Sequence, residues 1–238
     1  MSAGATNDPG VAAAAAHAVE LVPTGAKVGL GSGRAASAFI AELGARRRRG
    51  FSVVGVPTSE ASAALARSFG IPLIEITEDV ELDLIVDGAD EVTPTLDLVK
   101  GLGAAFVRER IVTAAARRQV ILVGPEKLVP ALFTTGGFPV EVIPLAGGLA
   151  TRHLKALGAV PTVRLEGGAP LRSVNGNLIF DCAVAAPMAD GGAVRALQAA
   201  VRAIPGVVDT GLFLGTAERV LVGYGDGRVE VLTRSAHP

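Results

Sequence analysis

The sequence predicts an α/β protein whose main domain is a parallel β-sheet with helices on both faces. Short apolar segments alternate with helical segments through the first half of the chain, and the links between them are short. The chain has 238 residues, 50% of them hydrophobic, which is enough to bury a large core. The pattern changes in the second half, which indicates a smaller α+β lobe.

The first predicted elements follow one another in the order that a parallel sheet requires. Helix 11–21 is rich in alanine, which favours helix, and it ends at the turn Pro23-Thr24-Gly25. The later elements are strand 27–30, helix 35–43, strand 52–56, helix 59–69, strands 72–75 and 82–86, helix 104–117 and strand 120–123.

The second half of the chain begins after a Gly/Pro-rich stretch, 133–139, which we interpret as a boundary. Beyond it we predict strand 140–143, helix 149–157, strands 161–165 and 178–183, helix 193–204 and strand 207–213, the βαββαβ order of a split ferredoxin-like unit. Strands 220–222 and 229–232 flank the hairpin signal Asp226-Gly227 and are expected to return to the first sheet. The predicted domains are residues 1–136 plus 209–238, and an inserted lobe at 137–208.

Charge and cysteine content argue against several classes of protein. With 22 basic and 23 acidic side chains, the formal net charge of -1 provides no overall positive field to bind nucleic acid. The run Arg46-Arg47-Arg48-Arg49 ends a predicted helix and complements its dipole, although a nucleic-acid contact is the alternative. Cys182 is the single cysteine, so neither an internal disulfide nor a Cys-type zinc site is possible, and a reducing compartment is expected.

The sequence predicts neither a membrane span nor a resident metal. Residues 1–7 lack the basic and apolar regions of a secretory signal, and no apolar run of about 18 residues is free of glycine or charge, so a cytoplasmic location is expected. His17, His153 and His237 are not spaced as metal ligands, and we expect neither a metal ion nor a cofactor.

The loop Gly29-Leu30-Gly31-Ser32-Gly33 lies where a predicted strand meets a helix. Its glycines would let backbone N–H groups approach a phosphate or carboxylate at the helix N-terminus. The spacing matches neither the GxGxxG nor the P-loop pattern, so a purely structural turn remains the alternative.

The block Asp87-Gly88-Ala89-Asp90-Glu91 places three carboxylates just beyond the predicted strand 82–86. Ligands bind at the carboxyl ends of strands in open parallel sheets, and clustered buried carboxylates are suited to proton transfer. The alternative is a polar turn in which Asp90 and Glu91 are solvated.

A second group of candidate residues runs from Lys100 to Glu109. Lys100 supplies an amine next to the glycine turn Gly101-Leu102-Gly103, which could hold an oxyanion. Glu109 has the apolar residues Phe106 and Val112 three positions away on either side, so we expect it to face the sheet. Pairing with a neighbouring arginine at the surface is the alternative.

Taken together, these motifs resemble ribose-5-phosphate isomerase of the A type, and the match runs in order from about residue 11 to 232. The motifs are Gly-Leu-Gly-Ser-Gly at 29–33, Pro57-Thr58-Ser59, the acidic block at 87–91, residues 100–109, Pro-Val-Glu-Val-Ile-Pro at 139–144, Asn175-Gly176-Asn177, Ile-Pro-Gly-Val-Val at 204–208 and Gly211-Leu212-Phe213.

The resemblance implies a Rossmann-like parallel-sheet domain with an inserted ferredoxin-like α+β lobe, and a homodimer or homotetramer. It implies a small phosphorylated sugar as substrate, no metal, and interconversion of ribose 5-phosphate and ribulose 5-phosphate. By position, Glu109 would move a proton between C1 and C2, and Asp87 would serve ring opening and the sugar oxygens. Lys100 and the amides of 101–103 would hold the enediolate oxygen, and Asp90 would orient hydroxyls.

Several positions around the substrate depart from the family pattern. The phosphate loop, Gly-Thr-Gly-Ser-Thr in the family, is Gly31-Ser32-Gly33-Arg34-Ala35 here, and the second glycine of Lys-Gly-Gly-Gly is Leu102. If Leu102 needs a positive φ, its backbone is strained. The acidic residue before the family's Ser-Lys is Gly124, whereas Lys127 is retained. An isomerase for a different aldose phosphate and a non-catalytic sugar-phosphate sensor therefore remain alternatives.

Overall fold

A computed structural model describes residues 8–234 of the chain. The helices are α1 (Pro9–Glu20), α2 (Gly33–Arg47), α3 (Glu60–Ser68), α4 (Phe106–Ala114), α5 (Gly147–Ala156) and α6 (Gly191–Arg202). The strands are β1 (Ala26–Leu30), β2 (Val53–Pro57), β3 (Leu84–Gly88), β4 (Glu91–Val92), β5 (Leu98–Val99), β6 (Gln119–Val123), β7 (Gly137–Val142), β8 (Val160–Val163), β9 (Leu165–Glu166), β10 (Ala169–Pro170), β11 (Leu178–Ala183), β12 (Val207–Thr210), β13 (Leu212–Phe213), β14 (Arg219–Gly223) and β15 (Val229–Thr233).

The larger sheet has six strands in the order β15-β14-β6-β3-β1-β2, and every pair except β14–β15 is parallel. Strands with apolar residues on both faces need cover on both faces. On one face, α1 and α2 bury alanines and Phe39 against Leu30 and Val86, and on the other, Val112 of α4 packs with Val56 and Ile85. The predicted α/β class is confirmed.

The predicted return of the last strands to this sheet is also confirmed. β14 lies beside β6, and its antiparallel partner β15 forms the edge. The helix α1 crosses β14 where two glycines meet, because a Cβ on Gly10 would lie 2.5 Å from the carbonyl oxygen of Gly223. Side chains at either position would separate the helix from the strand.

The smaller sheet has four antiparallel strands in the order β12-β7-β11-β8. Relative to the βαββαβ order of the chain, this is the arrangement 4-1-3-2, as expected for the split unit. The helices α5 and α6 cover the face that carries Phe138, Val140 and Val142. A separate three-stranded sheet has the order β13-β5-β4, and β5 ends directly before Lys100.

Two compact units divide the described residues. The first contains residues 8–89, 108–127 and 216–234, and the second contains residues 90–107 and 128–215. These limits are not those of the predicted domains, 1–136 plus 209–238 and 137–208, which stay a prediction.

Three predicted strands are wrong in their extent. Segment 161–165 is divided between β8 and β9, which join different sheets. Segment 72–75 contributes one bridge residue, Leu73 beside Gly55, because Pro72 has no N–H to donate to a ladder. Segment 207–213 divides at Gly211, and its two parts join different sheets. A Cβ on Gly211 would lie 2.0 Å from the carbonyl oxygen of Lys100, so only glycine fits at that bend.

Two side chains of the arginine run 46–49 bind backbone carbonyls near the end of α2. Arg46 donates to the carbonyl of Val19, and Arg47 donates to the carbonyl of Gly70. These two side chains tie the end of α2 to the chain near the ends of α1 and α3, which supports the helix-end interpretation.

Candidate active site

The first part of the site is the turn from β1 into α2, which the structure places against Asp87. The N–H of Gly31 donates to the carbonyl of Val86, and the N–H of Ser32 donates to Oδ1 of Asp87 at 3.0 Å. A Cβ on Gly31 would lie 2.3 Å from the carboxyl carbon of Asp87. The glycine loop and the acidic block, which are separate motifs in the sequence, therefore meet here.

Asp87 is fully buried and lies within β3, one residue before its end. The prediction that the acidic block starts beyond the strand is wrong by two residues, because Asp87 and Gly88 still pair with Ile121 and Leu122 of β6. Oδ1 of Asp87 also accepts from the N–H of Gly88 at 2.8 Å. These contacts fix the orientation of the carboxylate.

The N-terminus of α2 has no side-chain cap. Ser32 is in the N-cap position, but its hydroxyl lies 2.7 Å from the hydroxyl of Thr58 and makes no cap bond to the helix. Thr58 in turn donates to the carbonyl of Leu30, and Ser62 donates to that of Gly31. Hydroxyl groups thus hold the loop by hydrogen bonds to its carbonyls and to Ser32. The first N–H groups of the 15-residue helix remain available to an acceptor such as a bound anion.

The remaining residues of the predicted phosphate site lie at the same edge of the sheet. Gly33 starts α2 with φ at +84°, the guanidinium-bearing Arg34 is exposed, and Ala35 is half-buried. Lys127 is half-buried in the 3₁₀ turn Pro125–Lys127, which follows β6. Because β6, β3 and β1 are neighbours, their carboxyl ends bring Lys127, Asp87 and the loop to one edge of this unit.

Glu109 lies in the first turn of α4 and is 4% exposed. Phe106 and Val112, on the same side of the helix, are also buried. The expectation that Glu109 is buried rather than at the surface is confirmed. A carboxylate buried to this degree is unusual unless it is paired or functional.

The second unit holds Asp90 and the turn that follows Lys100. The Lys100 side chain is 3% exposed, and its ammonium lies 5.5 Å from the ring centroid of Phe213. The N–H of Leu102 donates to Oδ2 of Asp90 at 3.1 Å. This amide therefore contacts Asp90, whereas the resemblance implies that it would hold a substrate oxygen.

The strain expected at Leu102 is absent from the described backbone. The positive φ angles of this turn belong to Gly101, at +120°, and to Ala104, at +60°. Leu102 has no positive φ, and its side chain is 71% exposed. The substitution therefore projects an apolar side chain outward without forcing the left-handed backbone that a non-glycine residue avoids.

Glu91 contradicts the alternative of a solvated turn. It is 1% exposed, and its two oxygens accept from the N–H of Phe133 and from the N–H and hydroxyl of Thr135, each at 2.6 Å. Phe133 has φ at +71°, which is costly for an aromatic residue. Glu91 thus holds a strained segment in place.

Sequence reasoning also missed Arg164 and Asp181. Nη1 of Arg164 donates to the carbonyl of Gly101 at 2.9 Å and to that of Leu102 at 3.1 Å. Asp181 binds the other nitrogens of the same guanidinium. Both residues lie far along the chain from the turn, so no local pattern marks them.

The comparisons with known proteins agree with these motifs. The family model described as ribose 5-phosphate isomerase A (phosphoriboisomerase A) matches residues 54–227. The chain belongs to the ribose-5-phosphate isomerase A family. A ribose-5-phosphate isomerase A of Roseiflexus sp. (strain RS-1) is 46% identical over 94% of this chain and 95% of its own length. That of Gloeobacter violaceus is 45% identical, over 94% and 96%.

Solved structures of the family show the same fold. The ribose 5-phosphate isomerase A of Methanocaldococcus jannaschii is 38% identical and covers 96% of this chain and 100% of its own, with a TM-score of 0.88. A D-ribose-5-phosphate isomerase in complex with phospho-erythronic acid is 34% identical over 94% and 97%, with a TM-score of 0.88. The Rossmann-like domain with an inserted lobe is thereby confirmed for this chain.

The described range also bears on other kinds of site. Between residues 8 and 234, no helix has the length and apolar character needed to cross a membrane. Within the same range, no three His, Cys, Asp or Glu side chains form a group that could hold a metal ion. His237 and the first seven residues lie outside it.

Cys182 is buried, which raises the pKa of its thiol to about 12, so it is a poor nucleophile.

Proposed function

We propose that this protein interconverts D-ribose 5-phosphate and D-ribulose 5-phosphate through an enediolate, as its family does. The observation that carries the proposal is the family match, which includes the acidic block at 87–91 and the segment from Lys100 to Glu109. The burial of Asp87, Lys100 and Glu109 supports it, because proton transfer next to a carbonyl needs positioned acids and bases shielded from water.

Glu109 is our candidate for the base that carries the proton. As a carboxylate it would remove the proton from C2 of the open-chain aldose, which leaves the electron pair in the enediolate. It would then deliver that proton to C1, while the proton on O2 moves to O1 and completes the ketose. A positioned base of this kind contributes about 10²–10⁴-fold to the rate.

Asp87, Asp90 and Lys100 would manage the oxygens. Asp87, fixed by the N–H groups of Ser32 and Gly88, is suited to exchange protons with the ring oxygen and the hydroxyls. The ammonium of Lys100 and the N–H of Gly103 would stabilise the negative charge that develops on the enediolate oxygen, since the N–H of Leu102 donates to Asp90. Asp90 would orient a hydroxyl while it also holds the amide of Leu102.

The uncapped N-terminus of α2 is our candidate for the phosphate site. Gly33 and Ala35 would offer backbone N–H groups, since the N–H of Ser32 already donates to Asp87, and the dipole of a 15-residue helix favours a dianion there. Gly31 is required for the close approach to Asp87. Arg34 could bind the phosphate bidentately from its exposed position, and Lys127 would add a second positive charge.

Two observations favour a second candidate, an isomerase for another aldose phosphate. Arg34 is exposed where the family has a hydroxyl, and Leu102 is 71% exposed where the family has glycine. Both changes affect the surroundings of the sugar and leave the proton-transfer groups in place. A panel of aldose 5- and 6-phosphates separates the candidates by their kcat/KM values.

The function is tested by following ketopentose formation from ribose 5-phosphate in the presence of a metal chelator. We expect turnover, and we expect Glu109→Gln to lower kcat by about 10²–10⁴-fold while the Kd for phospho-erythronic acid stays within a few-fold. The matched control is Glu42→Gln, which changes an exposed glutamate on α2. Unchanged turnover in Glu109→Gln would contradict the assignment, and a folded wild-type protein that binds sugar phosphates without turnover would be a sensor.

We also propose a homodimer or homotetramer and a cytoplasmic location, both of which rest on the family resemblance. Light scattering coupled to size-exclusion chromatography measures the mass of the assembly directly. A monomeric mass near 24.0 kDa would contradict the first proposal.

A further inference from the structure

Arg164 directly follows β8 in the second unit, where its backbone N–H donates to the carbonyl of Ile179 on β11. Its side chain is only 14% exposed, which is low for an arginine. The guanidinium has two sets of partners. Nε and Nη2 donate to the two carboxylate oxygens of Asp181, and Nη1 donates to the carbonyls of Gly101 and Leu102.

Asp181 fixes the direction of this guanidinium. The two parallel bonds between an arginine and a carboxylate define the plane of the fork. Asp181 is 51% exposed, and ion pairs with such exposure add little to stability. Orientation of Nη1 toward residues 101 and 102 is therefore the main consequence of the pair.

The two carbonyl bonds determine where the amides of the turn point. In a trans peptide the C=O and the N–H of the same unit point in opposite directions. Since the carbonyls of Gly101 and Leu102 point to Arg164, the N–H groups of Leu102 and Gly103 point away from it. The observed bond from the N–H of Leu102 to Asp90 agrees with this geometry.

Two backbone bonds also hold this turn: the carbonyl of Gly101 accepts from the N–H of Ala104 at 3.1 Å, and the N–H of Lys100 donates to the carbonyl of Gly211 at 2.8 Å. The Leu102 side chain is exposed and does not add to them. A cation bound to the carbonyls also polarises both peptide groups, which makes their N–H groups better donors. Arg164 thus both orders the turn and strengthens its amides.

We propose that Arg164, oriented by Asp181, is a positioning residue that holds the Lys100–Gly103 turn in the form that stabilises the enediolate. The inference rests on the proposed function, because it assigns the turn to the developing negative charge. Arg164 itself acts through the turn and does not contact substrate. Its loss should affect the transition state more than the binding of the sugar phosphate.

The test compares Arg164→Met, which keeps the length of the side chain, with Arg164→Lys and with the control Arg152→Met. Arg152 is exposed on α5 of the same unit and makes no described side-chain contact. We expect Arg164→Met to lower kcat by about 10–10²-fold, the effect of misplacing a catalytic group by about 1 Å, with KM for ribose 5-phosphate within about 2-fold. We expect Arg164→Lys to have an intermediate kcat, because one ammonium cannot hold a carboxylate and two carbonyls together.

A second readout separates positioning from a general loss of structure. The affinity for phospho-erythronic acid, whose carboxylate carries the charge of the enediolate, should fall by the same factor as kcat/KM, and affinity for inorganic phosphate should not change. In Arg164→Ala, millimolar guanidinium should restore part of kcat, and the same concentration of sodium chloride should not.

The kinetics of the wild-type protein and of the Arg164 variants separate a failure of this role for Arg164 from a failure of the proposed function. Wild-type protein that does not convert ribose 5-phosphate rejects that function before any variant is made. Wild-type kcat in Arg164→Met, or an equal loss in Arg152→Met, overturns the role of Arg164. If Arg164→Met does not fold, Arg164→Lys decides the question: a lower kcat at unchanged KM supports the role, and an unchanged kcat overturns it.

Discussion

Gly31→Ala tests the contact between the phosphate loop and Asp87. The new Cβ would lie 2.3 Å from the Asp87 carboxyl carbon and 2.6 Å from its Cβ. Carbon atoms pack at about 3.5–4.0 Å, so loop and carboxylate must separate by about 1 Å. Gly31 has no positive φ, so backbone strain does not contribute.

The magnitude follows from this displacement. Overpacking of a buried site costs about 1–3 kcal/mol, and for a chain of this size each kcal/mol lowers Tm by about 2–4 °C. Because the bond from the Ser32 N–H to Asp87 has to lengthen, we expect kcat for ribose 5-phosphate to fall by about 10²-fold.

The assay is urea unfolding followed by circular dichroism, together with the ketopentose assay. Gly148→Ala is the matched control, since a Cβ there meets no atom within 4 Å on the exposed side of α5. That variant should gain up to about 1 kcal/mol, because alanine favours helix over glycine. Wild-type stability and kcat in Gly31→Ala would refute the close packing on which the argument depends.

Three further predictions concern single residues. Ala104→Gly should raise the free energy of unfolding, measured in urea titrations, by about 0.5–1 kcal/mol. Ala104 has a left-handed backbone with φ at +60°, which is strained for a residue with a Cβ and unstrained for glycine. A decrease in the free energy of unfolding would contradict this. Glu91→Ala should lower the free energy of unfolding by about 3 kcal/mol or more. The N–H groups of Phe133 and Thr135 would lose their acceptor, and each buried donor left without one costs about 1–3 kcal/mol. A urea unfolding midpoint equal to that of the wild type would show that water replaces the carboxylate. Burial raises the pKa of the Cys182 thiol to about 12, so the thiol is protonated at pH 8 and should not react with a disulfide reagent until urea unfolds the chain. Rapid labelling of the folded protein would count against this.

Local patterns in the sequence were enough to place several site residues. The apolar run at 82–86 predicted a strand that delivers Asp87 to the carboxyl edge of the sheet, and the observed strand, Leu84–Gly88, is shifted by two residues at both ends. The buried position of Glu109 followed from its apolar neighbours Phe106 and Val112 at helical spacing. In both cases the determining signal lies within a few residues.

Contacts between distant segments were not predictable in this way. Glu91 meets Phe133 and Thr135 across 42 and 44 positions, and without knowledge of those partners a glutamate in a turn is interpreted as solvated. Arg164 contacts Gly101 across 63 positions for the same reason. The positive φ angles at Ala104 and Phe133 also escaped prediction, because neither residue type marks such a backbone as glycine does.

The order of strands in the larger sheet has a consequence for synthesis of the protein. Strand β14 lies between β6 and β15, yet it is made after the whole of the inserted segment 128–215. Until it emerges from the ribosome, β6 presents an unpaired edge, and α1 lacks the glycine of β14 against which it packs. The smaller unit has by then been translated in full. We therefore expect it to complete its fold first, and a nascent chain that stalls near residue 215 to be prone to pairing with other strands through β6.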